Sequence, residues 1–132
     1  MLVSEGMSEV VLTVGPSQSL AGVAELMAQR NVGSAVVLDP DAPGPGIVTE
    51  RDILRAIAGG VDASKAQVAQ HCAERAVYAS PGWSLEQAAE AMVSGGFRHL
   101  IVIEGSEIAG VLSMRDIVSC WVRDGASCDV AS

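Results

Sequence analysis

An α/β (α+β) fold of two β-α-β-β-α motifs, packed with pseudo-two-fold symmetry, is what the sequence predicts. Three observations lead there. The 132-residue chain repeats itself at a nearly constant offset. Each copy alternates short β-branched runs with apolar stripes of helical period. One copy alone is too small to bury both faces of a sheet and its helices, so two copies are expected to share a core.

The repeat is read directly from the residues. Pro16-Ser17-Gln18-Ser19-Leu20 corresponds to Pro81-Gly82-Trp83-Ser84-Leu85, at an offset of 65. At the same spacing Ala24, Glu25 and Met27 match Ala89, Glu90 and Met92, and Val36-Val37-Leu38 matches Ile101-Val102-Ile103. One deletion then shifts the offset to 64, and Gly46-Ile47-Val48-Thr49-Glu50-Arg51-Asp52-Ile53 matches Gly110-Val111-Leu112-Ser113-Met114-Arg115-Asp116-Ile117. Order and spacing held over this length exclude coincidence.

Each element has its own signal. A short β run comes first, Val10 to Val14 and Ala76 to Ala79, closed by Pro16 or Pro81. Ser19 and Ser84 are N-cap candidates, since a hydroxyl can accept from the free N–H groups of a first helical turn. Leu20, Val23, Ala24 and Met27 follow at i, i+3, i+4 and i+7, as do Leu85, Ala88, Ala89 and Met92, which defines one helix face. Gly33 and Gly95-Gly96 are stop signals. The apolar runs Ala35 to Leu38 and Leu100 to Ile103 are short and β-branched, hence buried strands. A Pro, Gly and Asp-rich turn, Asp39 to Pro45, follows the first, and Glu104 to Glu107 is its shorter counterpart. A second strand, Gly46 to Val48 or Gly110 to Leu112, runs into a last helix starting at Thr49 or Ser113. Residues 1–60 form the first motif and 61–132 the second. Gly59-Gly60 to Ser64 is the linker, Ser64 is expected to cap a short extra helix through Val68 and Cys72, and residues 124–132 read as a frayed tail.

Composition narrows the function. Hydrophobic residues make up 49% of the chain, too many for a disordered solvating segment. No apolar run approaches the ~20 residues that cross a bilayer. Met1 to Glu9 carries acidic residues and no basic ones, unlike a secretory leader, so a soluble, cytoplasmic protein with no membrane partner is expected. Sixteen acidic against eight basic residues give a net charge of −8, which repels nucleic acid but leaves room for a small phosphorylated ligand in a local basic pocket. Cys72, Cys120 and Cys128 form no CxxC pair, and His71-Cys72 alone does not make a zinc site. They read as reduced thiols, with Cys72 and Cys120 as apolar fillers in helical patterns. Neither a nucleophile elbow, a zinc-protease helix motif nor a P-loop occurs, so no enzyme and no required cofactor or metal is expected.

The paired Gly46–Ile53 and Gly110–Ile117 octets resemble the G-h-h-[ST]-x-x-D-h signature that ends each motif of a tandem CBS-domain pair, or Bateman module. The resemblance runs from about Ser8 to Arg123. It departs where the family often has Pro inside the middle strand and this chain has Val36 and Ile101. The resemblance implies a non-catalytic, stand-alone regulatory sensor. Its ligands would be adenosine-containing (AMP, ADP, ATP or S-adenosylmethionine), held in clefts between the two motifs. It also implies a homodimer and a regulated partner that the sequence does not name.

The signature residues make physical sense as binders. Thr49 and Ser113 stand where a strand enters a helix, whose free N–H groups and partial positive charge suit phosphate. Asp52 and Asp116 lie one turn on and could accept both hydroxyls of a ribose. The same [ST]-x-x-[DE] spacing is also a capping box, which would stabilise the helix with no ligand at all. Arg51 and Arg115 are at a place that can face phosphates in related modules, where a guanidinium donates in bidentate fashion. The alternative is a solvated arginine paired with a neighbouring acid. Arg98-His99 precedes the second middle strand where the first copy has Gly33-Ser34, so the second cleft is expected to bind phosphates better. A phosphate contact from His99 would strengthen binding below pH ~6.5. By family position, Val11 and Val32 line one adenine slot and Ala76 and Phe97 the other, unless they are ordinary core. Trp83 and Trp121 are expected in packing or at a dimer face. A ligand-free dimerisation scaffold of the same fold is the competing function.

Overall fold

The computed structural model describes residues 1–72 and 76–124. Cys128 and all but the first residue of the expected frayed tail lie outside them. The described chain falls into two compact units, Val11–Ala76 and Met1–Val10 together with Val77–Ser132.

Within Val11–Ala76, β1 (Thr13–Val14) leads to α2 (Leu20–Arg30), β2 (Ser34–Val37), β3 (Gly46–Thr49) and α3 (Glu50–Ala58). The other unit begins with the short helix α1 (Val3–Gly6) and continues with β4 (Tyr78–Ala79), α4 (Leu85–Gly95), β5 (His99–Glu104), β6 (Glu107–Ser113) and α5 (Met114–Arg123). Each sheet has three strands, ordered β1-β2-β3 and β4-β5-β6. In each, the first pair is parallel and the second antiparallel. This is the β-α-β-β-α order expected twice.

The caps explain where the helices begin. Ser19 Oγ accepts from Gly22 N at 3.0 Å, and Ser84 Oγ from Gln87 N at 3.1 Å. The predicted faces are the buried ones: Leu20, Val23 and Met27 on α2, and Leu85, Ala88 and Met92 on α4. Burying a side chain of this size stabilises a fold by roughly 1.5–3 kcal/mol. With aromatics at 3%, these aliphatic residues carry the two cores.

Several details differ from expectation. The first strands are two residues long rather than four or five, pairing Thr13-Val14 with Val36-Val37 and Tyr78-Ala79 with Ile101-Val102. Helix α2 stops at Asn31, left-handed at φ 53°, not at Gly33; in the second copy Gly96 takes that role at φ 73°. Ser64 caps no helix. Its N–H and hydroxyl both donate to Asp62 Oδ1, at 3.0 and 2.6 Å, and these bonds hold the Asp62 carboxyl below its ordinary pKa. The extra helix is a 3-10 turn, Val68–Gln70, and Cys72 lies just beyond it, half-buried.

The compact units also cut the chain differently from the division at residue 60. Val3 N donates to Trp83 O (2.7 Å), Ser4 N to Pro81 O (3.1 Å), and Leu85 N to Met1 O (3.0 Å). At an offset of 65, Val68 N donates to Gln18 O (2.8 Å), Ala69 N to Pro16 O (3.1 Å), and Leu20 N to Ala66 O (3.0 Å). Val3 and Val68 are both fully buried. The segment ahead of the first repeat therefore completes the unit of the second, and the segment ahead of the second repeat completes the unit of the first.

Candidate functional site

Two strand-to-helix corners bring the signature residues together. In the first, β3 ends at Thr49, which is extended at φ −115°, ψ 164° and caps α3. Thr49 N donates to Asp52 Oδ2 at 2.8 Å, and Asp52 N donates back to Thr49 Oγ1 at 3.3 Å. In the second, β6 ends at Ser113 (φ −105°, ψ 161°), Ser113 N donates to Asp116 Oδ2 at 2.8 Å, and Asp116 N to Ser113 Oγ at 3.0 Å. The capping box is thus complete in both copies.

The first helical N–H is used as well. Glu50 N donates to Gly33 O at 3.0 Å and Met114 N to Arg98 O at 2.9 Å. Of the first three N–H groups in each helix, only those of Arg51 and Arg115 make no hydrogen bond among the described residues. In each aspartate the second oxygen, Oδ1, likewise has no partner there. Each corner thus leaves one helix N–H and one carboxylate oxygen without a hydrogen bond among the described residues.

The corners differ in their hydroxyls. Thr49 Oγ1 also donates its proton to Asp52 Oδ2, at 3.0 Å. Ser113 Oγ accepts from Asp116 N and donates to no described residue. They differ across the strand pair too, since Thr49 faces Ser34 and Ser113 faces His99 in register. Ser34 is buried; His99 is half-buried at the start of β5.

The other predicted residues differ in their exposure. Arg51, Arg115 and Arg98 are exposed. Val32 and Phe97 are half-buried, each one residue ahead of the carbonyl that docks on the helix start. Both also pack against the core of their own unit. Val11 and Ala76 are half-buried just ahead of β1 and β4. Trp83 packs on the second core, whereas Trp121 is exposed on α5.

Two features escaped the sequence reading. One is the role of the signature glycines. A Cβ on Gly110 would stand 2.5 Å from Ser8 O and 2.9 Å from Met7 Sδ, while one on Gly46 would meet Cys72 Sγ at 3.4 Å. The matching spacing of Met7 and Cys72, also 65 residues apart, is the signal that could have revealed it. The other is the Cys72 thiol itself. Burial raises its pKa, and the negative charges of Asp52 and Asp39 push the same way. Among the described residues no cluster of His, Cys, Asp or Glu could hold a metal, and no helix is long and apolar enough to cross a membrane.

Comparison with known proteins places this architecture. The CBS domain family model matches residues 3–59 and 68–123. The CBS domain-containing protein YhcV of Bacillus subtilis is 32% identical over 116 residues, covering 87% of this chain and 81% of its own length. An uncharacterised protein of Methanocaldococcus jannaschii is 27% identical over 94% of the chain, which spans 44% of that longer protein. Among solved structures, a CBS-domain protein of Pyrobaculum aerophilum complexed with AMP superimposes with a TM-score of 0.81 at 27% identity, covering 96% of this chain and all of that one. The hexameric CBS-CP12 protein of bloom-forming cyanobacteria gives a TM-score of 0.85 at 28% identity, over 93% of this chain and 74% of that one. The chain belongs to the CBS-domain family and carries two of these domains in tandem.

Proposed function

We propose that this CBS pair is a non-catalytic regulatory sensor that binds an adenosine-containing nucleotide, AMP, ADP, ATP or S-adenosylmethionine, at its Thr49–Asp52 and Ser113–Asp116 corners. The observation that carries the reading is the duplicated corner, with a carboxylate oxygen and a helix N–H left over at each, in a family where a structural neighbour is complexed with AMP. In this reading Oδ1 of Asp52 or Asp116 accepts from a ribose hydroxyl. The N–H and guanidinium of Arg51 or Arg115 face phosphate, joined in the second copy by Arg98 and His99. Val11 with Val32, and Ala76 with Phe97, flank the adenine.

In this reading the nucleotide is a regulatory ligand and not a required cofactor. The protein's working form in this reading is a cytoplasmic homodimer. Helices α3 and α5 support the pairing, since both leave an apolar face exposed at equivalent positions: Leu54 and Ile57 on α3, and Val118, Trp121 and Val122 on α5. A nucleotide-dependent contact with a regulated protein would transmit the signal. A ligand-free scaffold is the second reading, and one observation favours it: both capping boxes close without any ligand.

Calorimetric titration and thermal shift with AMP, ATP and S-adenosylmethionine separate the two. Ligand at 100 times Kd should stabilise the protein by ~2.7 kcal/mol. The Asp116→Asn variant keeps an acceptor for Ser113 N but loses the carboxylate, and binding should weaken by about ten-fold or more. No shift with any of the three compounds would leave the scaffold reading.

A further inference from the structure

Residues 1–10 complete the unit that carries the Ser113–Asp116 corner, and they touch the chain on both sides of it. Ser8 N donates to Val111 O at 2.9 Å and Val111 N donates to Ser8 O at 3.0 Å, an antiparallel bridge two residues ahead of Ser113. Val111 already pairs with Ile101 on its other side, so the segment satisfies the outer edge of β6 where that strand delivers Ser113. Four residues beyond Asp116, Cys120 is fully buried, and Gly6 approaches it so closely that a Cβ there would be 2.9 Å from its Sγ.

Resting on the reading that Ser113 and Asp116 hold a nucleotide, we propose that residues 1–10 are a strap whose docking on β6 and α5 regulates nucleotide binding at that corner. The docked strap fixes the strand and the helix between which the corner is formed. The released strap leaves the N–H and C=O of Val111 to water and uncovers the flank of α5 at Cys120. A nucleotide that needs the corner in one geometry binds the strapped state better, and by reciprocity it holds the strap down. The glycine of the signature gains a purpose in this scheme. Gly110 has no side chain because the backbone of Ser8 lies where a Cβ would be.

The experiment uses the full chain in a Cys72→Ser, Cys128→Ser background, so that Cys120 is the reporting thiol. Its labelling rate with a thiol reagent reads strap release, and calorimetry reads the AMP-binding event that Asp116→Asn weakens. Gly110→Ala drives a Cβ into the strap. Ser8→Pro removes the donor to Val111 at an exposed position, and the preceding residue, Met7, already has φ −68°, ψ 156°, as a residue before proline requires. Both variants should speed Cys120 labelling and weaken AMP binding by about five-fold or more, the usual scale of allosteric coupling. Gly46→Ala, the matched change in the first unit, should do neither, and saturating AMP should slow labelling in the parent protein. Should Gly110→Ala fail to fold, Ser8→Pro decides alone. Faster labelling with unchanged AMP affinity overturns the strap and leaves the binding reading intact, as does labelling that neither variant alters. A parent protein that binds no AMP overturns both.

Discussion

The two corners of this molecule share one hydrogen-bond plan and differ in what the plan leaves over. At Thr49 the hydroxyl both accepts from Asp52 N and donates to Asp52 Oδ2, so its hydrogen-bonding capacity is turned inward. At Ser113 the hydroxyl accepts, and it donates to no described residue. Opposite Thr49 stands a buried Ser34 after Gly33; opposite Ser113 stands His99 after Arg98. A repeat can thus keep its fold in both copies while concentrating its polar chemistry in one. The first corner turns its hydroxyl inward, and among the described residues the second leaves its hydroxyl proton undonated.

The comparison breaks if the two units are not equivalent where they look equivalent. Leu20 and Leu85 occupy matching, fully buried positions. Replacing either with Ala should cost about 3 kcal/mol in urea denaturation, since a cavity is added to the lost transfer energy. A cost confined to one of the two would show that one unit contributes little to the measured stability.

The comparison sharpens if the residues of the first corner are installed in the second. Arg98→Gly with His99→Ser removes two side-chain donors and keeps the Arg98 carbonyl that accepts from Met114 N. Affinity for AMP should fall about ten-fold, in line with the loss of a charged hydrogen bond, while affinity for adenosine stays unchanged. Equal losses for both ligands would mean that Arg98 and His99 act on something other than phosphate.

The hydroxyls come next. Thr49→Ala removes an accepted and a donated bond, and Ser113→Ala only an accepted one. The stability cost should be about 1–2 kcal/mol for the first and about 1 kcal/mol for the second. The ligand effect should run the opposite way, with Ser113→Ala weakening AMP binding more than Thr49→Ala. If the two orders coincide, the hydroxyl proton of Ser113 has no part in binding.

Much of this was legible in the residues because it is local. Ser19, Ser84, Thr49 and Ser113 announce their helices through bonds that span three residues, and the apolar spacing on α2 and α4 marks the buried face within one turn or two. What could not be read is what depends on distant partners. The strand expected at Val10–Val14 shrinks to Thr13–Val14, the two residues that find a partner in β2, and pairing of this kind is not written in a segment's own β-branched residues. Residues 1–10 show no periodicity that would tie Ser8 to Val111, a hundred residues on. Asn31 stops α2 because the chain needs a left-handed residue at the position of Gly96, and asparagine adopts that conformation more readily than other residues with a side chain. The corner residues were identifiable by type and spacing, but which of their atoms are already used is a matter of coordinates.

The smallest expected difference lies behind the corners, where Cys72 in the first unit takes the place that Met7 takes in the second. Burial, with the carboxylates of Asp52 and Asp39, holds the Cys72 thiol above its ordinary pKa of about 8.5. At neutral pH the thiol is protonated in both the folded and the unfolded chain and contributes no pH dependence. As pH rises past the unfolded value, the unfolded chain releases this proton while the folded chain keeps it. The folded state then binds more protons, so stability falls with rising pH. Urea midpoints measured between about pH 8 and about pH 9.5 should therefore decline in the parent protein more steeply than in Cys72→Ala. Equal slopes would remove Cys72 from the account. The second unit offers no such dependence at its matching position, because a thioether has no proton to lose.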